Sequence, residues 1–254
     1  MRALIALIAL SACATAPPAA RIAAPGEAVL SLMTFNLNYG LAGDPATLEA
    51  IGAEDADVVL LQEVNEPWAA AIRARWSSRW PHMAFFPCCV AGGLGVLSKQ
   101  PIVSTRVLPK VSWFPALQVI VATPLGEVQF LDVHLRPPFS DGGSAVSGYF
   151  STPRVRAAEI SAFLAALDPS RPTVVAGDFN EWTGGAHREL SARGFTNVVP
   201  ESVDTWRWNT SLGEVRSSLD HVWHDAHFDP LEARVLAIGR SDHLPVITKF
   251  VRRP

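Results

Sequence analysis

The stretch from Val174 to Trp182 reads V-V-A-G-D-F-N-E-W, a short apolar run that ends by presenting Asp178 and Asn180. In extended backbone, residues i and i+2 face the same way, so this carboxylate and this amide are expected to aim into one spot. Such a pair suits the positioning of a hydrated metal or of an attacking water. The same run also reads as a strand followed by an Asp/Asn turn with no further role. Gly177 is expected where a side chain would crowd an approaching ligand. Other polar groups recur at strand ends: Asn36, Glu63, His134, Asp220 on a strand of its own, and the adjacent Asp242 and His243. Carboxylates and amides of this kind offer hard oxygen ligands, and histidines exchange protons near neutral pH. Taken singly, each of these residues also fits a plain turn-forming or structural role.

The elements that must position these groups follow from periodicity. Val29 to Phe35, Asp57 to Leu61 and Val174 to Ala176 read as buried strands. Residues 45 to 53 read as a short helix opened by Pro45, and Trp68 to Trp80 as a helix whose Trp68, Ile72 and Trp76 share one face toward the core. Gly92 to Ser98 and the segment after Pro101 read as two strands joined by a tight turn, and Leu117 to Ala122 with Val128 to His134 as a hairpin. Arg136 to Tyr149, rich in Pro, Gly and Ser, reads as a surface loop of the length of a lid. Thr152-Pro153 opens a helix through Leu167, with Val155, Ile160, Phe163, Leu164 and Leu167 on the apolar side and Arg154, Arg156 and Glu159 on the other. Strands over Leu219 to Trp223 and Val246 to Val251 complete the chain, and no internal repeat occurs.

With 254 residues, 49% hydrophobic and 18% charged, the chain is globular and reads as one large domain, residues 28–254. Met1-Arg2, the apolar run Ala3 to Leu10 and then Leu10-Ser11-Ala12-Cys13 resemble a bacterial lipoprotein signal. Residues 1–12 would be removed and Cys13 lipidated, anchoring the protein to the cell envelope; cleavage after Ala14 or Ala20 as an ordinary secretory signal is the alternative. Residues 13–27, rich in Ala and Pro, suit a tether. Cys88 and Cys89 are adjacent, a spacing that strains a disulfide, and are expected to sit buried as small apolar residues, with pairing in an oxidising envelope as the alternative.

Seven runs in chain order then resemble the endonuclease/exonuclease/phosphatase superfamily: T-F-N at Thr34, L-L-Q-E-V at Leu60, G-L-G-V-L-S-K-Q-P-I at Gly93, V-H-L at Val133, A-G-D-F-N at Ala176, S-L-D-H-V at Ser218 and S-D-H-L-P-V at Ser241. The resemblance spans roughly Leu30 to Phe250. It implies an α/β four-layer sandwich, two mixed β-sheets face to face flanked by helices, acting as a monomer on phosphoesters with Mg²⁺ or Mn²⁺. It implies Glu63 as the principal metal ligand, with Asn36 and Asp242 in the direct or water-mediated shell. Asp178 and Asn180 would hold and deprotonate or orient the attacking water, His243 held by Asp220 would act on the scissile phosphate, and His134 would donate to a phosphate oxygen.

Two departures bear on the substrate. Nuclease members carry a phosphate-binding Arg where this chain has Trp113-Phe114-Pro115, and a Tyr or Glu where it has Phe86-Pro87-Cys88-Cys89. Arg136 and Arg154 are the candidate replacements. Without Arg2 of the signal, 20 basic side chains face 24 acidic ones, and the only lysines are Lys99, Lys110 and Lys249. Tight duplex binding relies on many cationic phosphate contacts. A small or lipid-borne phosphodiester is therefore expected in preference to long duplex DNA, with an envelope nuclease or a non-catalytic envelope binding protein as alternatives. Trp113, Trp182, Trp206 and Trp208 stand near the polar groups in sequence and fit either a lipid or base contact or ordinary core packing.

Overall fold

The structure is a computed structural model that describes residues 21–138, 148, 151–211 and 213–253. In chain order it runs β1 (Leu30–Asn36), α1 (Pro45–Ile51), β2 (Val58–Gln62), α2 (Glu66–Trp76), β3 (His82–Phe86), β4 (Leu94–Ser98), β5 (Ile102–Leu108), β6 (Ala116–Thr123) and β7 (Gly126–His134). There follow α3 (Pro153–Ala165), β8 (Thr173–Asp178), α4 (Gly185–Ala192), β9 (Thr196–Asn197), β10 (Trp206–Thr210), β11 (Gly213–Ser217), β12 (Asp220–His224), β13 (Phe228–Val235) and β14 (Val246–Arg252). One six-stranded sheet has the order β13-β14-β1-β2-β4-β3, the other β5-β6-β7-β8-β12-β9, and β10 with β11 forms a separate ribbon. The sheets pack face to face over a core that includes Leu32, Leu60, Val119, Phe130, Val174 and Phe250. Helices α1 and α2 cover the first sheet through Phe35, Trp68, Ile72 and Trp80, and α3 and α4 cover the second through Leu131, Ile160, Phe163 and Leu190. The four-layer sandwich expected from the resemblance is therefore the observed fold.

What places polar groups at one end is the alternation of the strands. The inner face of β1 is Leu30, Leu32, Thr34 and Asn36, that of β2 is Val58, Leu60 and Gln62, and that of β8 is Val174, Ala176 and Asp178. Along β7 it is Val128, Phe130, Asp132 and His134. Each face is apolar in mid-sandwich and turns polar at the strand's C-terminal end. Strands β1 and β2 are parallel, with Asn36 opposite Gln62, and β7 and β8 are parallel, with His134 opposite Asp178. Helices α1 and α3 return the chain between these strands, so all four C-termini open on the same edge. Strand β12 runs antiparallel to β8 and sets Asp220 opposite Asp178.

Several expectations need correction. Gly177 (φ 138°) is required by the neighbouring strand: a Cβ there would lie 2.0 Å from the Val133 carbonyl oxygen. Arg156 and Glu159, expected on the face of α3 opposite its apolar stripe, are on a face that is buried as well. Cys88 and Cys89 are exposed and joined by a disulfide, because the turn after β3, with Cys89 (φ 39°) and Val90 (φ 61°) in the left-handed region, leaves them outside any core. Helix α2 begins at Glu66 because the Asn65 side chain caps it, accepting from Trp68 N–H at 3.0 Å. The expected signal, Cys13 and most of the 136–149 loop lie outside the described residues.

Candidate active site

The polar edge is organised by Asp178. Its Oδ2 accepts from Asn36 Nδ2 at 3.1 Å and lies 3.4 Å from His134 Nε2 and 3.6 Å from His243 Nε2. Asn36 Nδ2 also donates to Glu63 Oε1 at 3.1 Å, so one amide joins two carboxylates that the sequence places 115 positions apart. The other oxygen of Glu63 accepts from Tyr39 N–H at 2.9 Å. Glu63 (φ 61°) and Asn180 (φ 51°) both have left-handed backbone, a conformation that L side chains avoid and that persists here where the chain turns sharply to aim a group at the cleft. Asn180 thus reaches the site beyond the end of β8, not along it: its N–H donates to Asp178 Oδ1 at 2.8 Å and its Nδ2 to the Leu135 carbonyl at 2.9 Å.

His243 and Asp220 form a buried pair, with Nδ1 at 2.9 Å from Oδ2 and 3.1 Å from Oδ1. Burial opposes the imidazolium, but the charges of Asp220 and Asp178 outweigh it and push His243 up to about 10. Burial likewise pushes the Asp220 carboxyl up, to about 6, against the pull of His243. At neutral pH the pair is imidazolium and carboxylate. His134 is fixed from its far side, its Nδ1–H donating to the Ala91 carbonyl at 3.1 Å, and the Phe114 ring lies 4.6 Å away, centroid to centroid.

Asp242 joins through a residue outside the expected set. Asn38, at left-handed φ 59°, donates its Nδ2 to Asp242 Oδ1 at 2.9 Å and its N–H to Asn36 Oδ1 at 3.0 Å. Trp206 Nε1 donates to the other Asp242 oxygen at 3.0 Å, so this tryptophan serves the site, whereas Trp113, Trp182 and Trp208 are exposed. Although burial opposes ionisation of Asp242, the charge of His243 and these two hydrogen bonds hold its carboxyl below the usual range.

All eight expected residues therefore belong to one connected network. The sequence reading missed its support. Gln62 donates to Thr34 Oγ1 at 3.0 Å and to Asp132 Oδ1 at 2.6 Å beneath the site, where burial holds Asp132 well above the carboxylate range. Glu181, next to Asn180, accepts from buried Arg156 at 2.8 Å and from Ala186 N–H and His187 N–H at 2.7 and 3.1 Å. Its carbonyl accepts from His221 Nε2–H at 3.0 Å. Position along α3 alone gives no signal for Arg156; the clue was an Arg and a Glu on a helix that must pack against β8.

Donor atoms of Asp178, Asp220 and His243 lie within 4.8 Å of one another, close enough to hold a metal ion. Glu63 and Asp242 are tied to this group through the amides of Asn36 and Asn38 and add further carboxylate oxygens. Four carboxylates gather with two histidines, an excess of negative charge that a divalent cation would balance.

The model of the Endonuclease/Exonuclease/phosphatase family matches residues 33–243. The chain belongs to this family. Its members are divalent-metal-dependent phosphoester hydrolases, and the chain is a family hydrolase on that basis. Among solved structures, an endonuclease/exonuclease/phosphatase from Beutenbergia cavernae is similar at 22% identity with a TM-score of 0.70, covering 89% of this chain and 72% of that one. SmcL is similar at 16% identity and TM-score 0.66, covering 90% of this chain and 100% of that one. TDP2 of D. rerio, complexed with a single-strand DNA product, is similar at 15% identity and TM-score 0.65, covering 87% and 98%. At these identities the likeness is one of fold. No curated protein matches the sequence.

Proposed function

We propose that the protein is a Mg²⁺- or Mn²⁺-dependent phosphodiesterase that hydrolyses its substrate by water attack on phosphorus. The observation that carries this reading is the convergence of Asn36, His134 and His243 on one oxygen of Asp178. Glu63, with Asn36 and Asp242, would hold the metal, since hard oxygen donors suit Mg²⁺ and the Nδ1 of His243 is engaged by Asp220. Bound there, the ion would polarise the phosphoryl group and offset its charge. Asp178 takes a proton from the water that Asn180 orients. His243, kept cationic by Asp220, stabilises the charge that develops on the phosphoryl oxygens. His134, whose Nδ1 is engaged by the Ala91 carbonyl, presents Nε2 toward such an oxygen.

The substrate we favour is a small or lipid-borne phosphodiester. The chain's acidic balance and the apolar Trp113-Phe114-Pro115 support it over duplex DNA. The nucleic-acid reading has one supporting observation, the single-strand DNA product held by the similar D. rerio TDP2. The ratio of turnover on duplex DNA to turnover on a phospholipid-type diester, under the same Mg²⁺, decides between them; faster DNA cleavage that weakens steeply with salt would make this an envelope nuclease. Excess chelator should abolish activity and Glu63→Gln should lower it severely with the fold intact. Full activity in chelator would refute the mechanism and leave the binding-protein alternative. We further propose that acylated Cys13 anchors the enzyme to the bacterial envelope, which intact mass of the membrane fraction tests; membrane retention of Cys13→Ser would count against it.

A further inference from the structure

Beside the candidate site, on the side of Ala91 and Phe114, the two sheets frame a second opening. The sheets face each other strand by strand, β1 on β8 and β2 on β7 beneath the candidate site, then β4 on β6 and β3 on β5. At the ends of that outer set opens a cavity of about 560 Å³, in the size range of small-molecule sites. Phe86, Leu94, Val107, Pro115 and the Cys88–Cys89 disulfide line it, and Lys110 is the one charged residue in the lining. Two contacts join the cavity wall to the site. Ala91, in the turn that the disulfide opens, accepts from His134, and Phe114, beside Pro115, lies against the His134 ring. A Cβ at Gly92 would meet Cys89 Sγ and Phe114 Cδ1, both at 2.7 Å, so disulfide and ring close on the same point. Val90, Val111 and Trp113, neighbours of these residues in the chain, are exposed.

We propose that this cavity receives an alkyl chain carried by one ester arm of the phosphodiester. The proposal rests on the phosphodiesterase reading above and adds the part of the substrate that sets preference. A hydroxyl-bearing arm would lose its water hydrogen bonds on entering such a lining and find few partners there. An alkyl arm gains roughly fourfold in affinity for each methylene fully buried. With the phosphate at His134 and Asp178, an arm passing Phe114 would run toward Pro115 in the cavity lining.

Methyl and octyl p-nitrophenyl phosphate, given to the full chain with Mg²⁺, read this through release of p-nitrophenolate. The octyl ester is expected to show kcat/KM at least ~10-fold above the methyl ester. Val107 lies on edge strand β5 and is 42% exposed, so both Val107→Glu, which brings charge into the lining, and Val107→Trp, which fills it, are tolerable tests of the wall. Either should bring the octyl-to-methyl ratio close to one, and a ratio within one protein cancels any general loss. Equal rates on the two esters in the wild type, or a preference that survives both substitutions, would overturn the cavity while the phosphodiesterase reading stands. If neither ester is hydrolysed, that reading fails and calorimetric titration judges the cavity alone: octyl phosphate bound tighter than methyl phosphate, and no longer so in Val107→Glu, supports it, and equal binding overturns it.

Discussion

Two buried ionic clusters flank the end of β8, and they are built on opposite plans. In the first, Arg156, Glu159 and Glu181 satisfy one another and the backbone. Arg156 pairs with Glu181 and donates to Thr152 Oγ1 and the Arg136 carbonyl, while Glu159 accepts from Trp113 N–H and Arg136 N–H, both at 3.0 Å. Every carboxylate oxygen there has a donor. In the second, Asp178 meets Asn36, His134 and His243 at a single oxygen, and its own charge helps to raise the Asp220 carboxyl. Like charges crowd, and the groups face the cleft. The first plan fixes loops; the second stores unmet electrostatic demand for a metal and a phosphate. Stability and activity should therefore separate between them.

The largest effect expected is on catalysis. Asp178→Asn should reduce kcat by roughly a thousandfold or more, with the melting temperature unchanged or higher because a crowded negative charge is removed. A large fall in melting temperature would erase the distinction. Next, Arg156→Met should cost ~3–5 kcal/mol of unfolding free energy by leaving Glu181 buried without its cation, read by urea denaturation, while kcat of the folded fraction changes less than tenfold. A catalytic loss matching that of Asp178→Asn would place Arg156 in the chemistry. Within the site, Asp220→Asn and His243→Ala should each cost a few kcal/mol of barrier, roughly, and the double change little more, since coupled residues are non-additive; additive losses in kcat would show that the two act apart.

The smallest effect concerns pH. Burial drives His187 down to about 4 and His221 down to about 3, and the positive charge of Arg156 near His187 pushes that ring in the same direction. Folded values below the ordinary 6.5 mean that the stability from these neutral rings is present above pH 6.5 and is lost as pH falls toward 4 and 3. Melting temperature should fall with acid over that window, and His187→Phe, which keeps the ring packing on Phe179 and Trp223, should flatten the fall. His243 has the reverse sign. In metal-free protein its stabilisation is complete below 6.5 and is lost as pH rises toward about 10. An acid limb unchanged in His187→Phe would assign the loss to other groups.

Much of this was legible in the chain. Apolar runs located β1, β2, β7, β8, β12 and β14 to within a residue or two, and the polar residues at the ends of those runs located Asn36, Glu63, His134 and Asp178 where strands close and Asp220 and His243 where strands open. Short segments without strong periodicity, such as β9, α4 and the β10–β11 ribbon, carried no signal. The burial of Arg156 and Glu159 was not legible because a charged residue at a helical position gives no sign of burial unless its partner is known, and Glu181 lies 25 residues from Arg156.

The sequence by itself determined which side chains end each strand and that the inner faces turn polar there, because the two-residue period of a strand is local geometry. Only the tertiary structure decided that those ends share one edge, that Asn38 and Trp206 hold Asp242, and that Gly177 answers to Val133. It also decided the exposed Cys88–Cys89 bridge. These depend on which strands lie side by side and on which charges are shielded from water, and both are set by packing between segments distant in the chain.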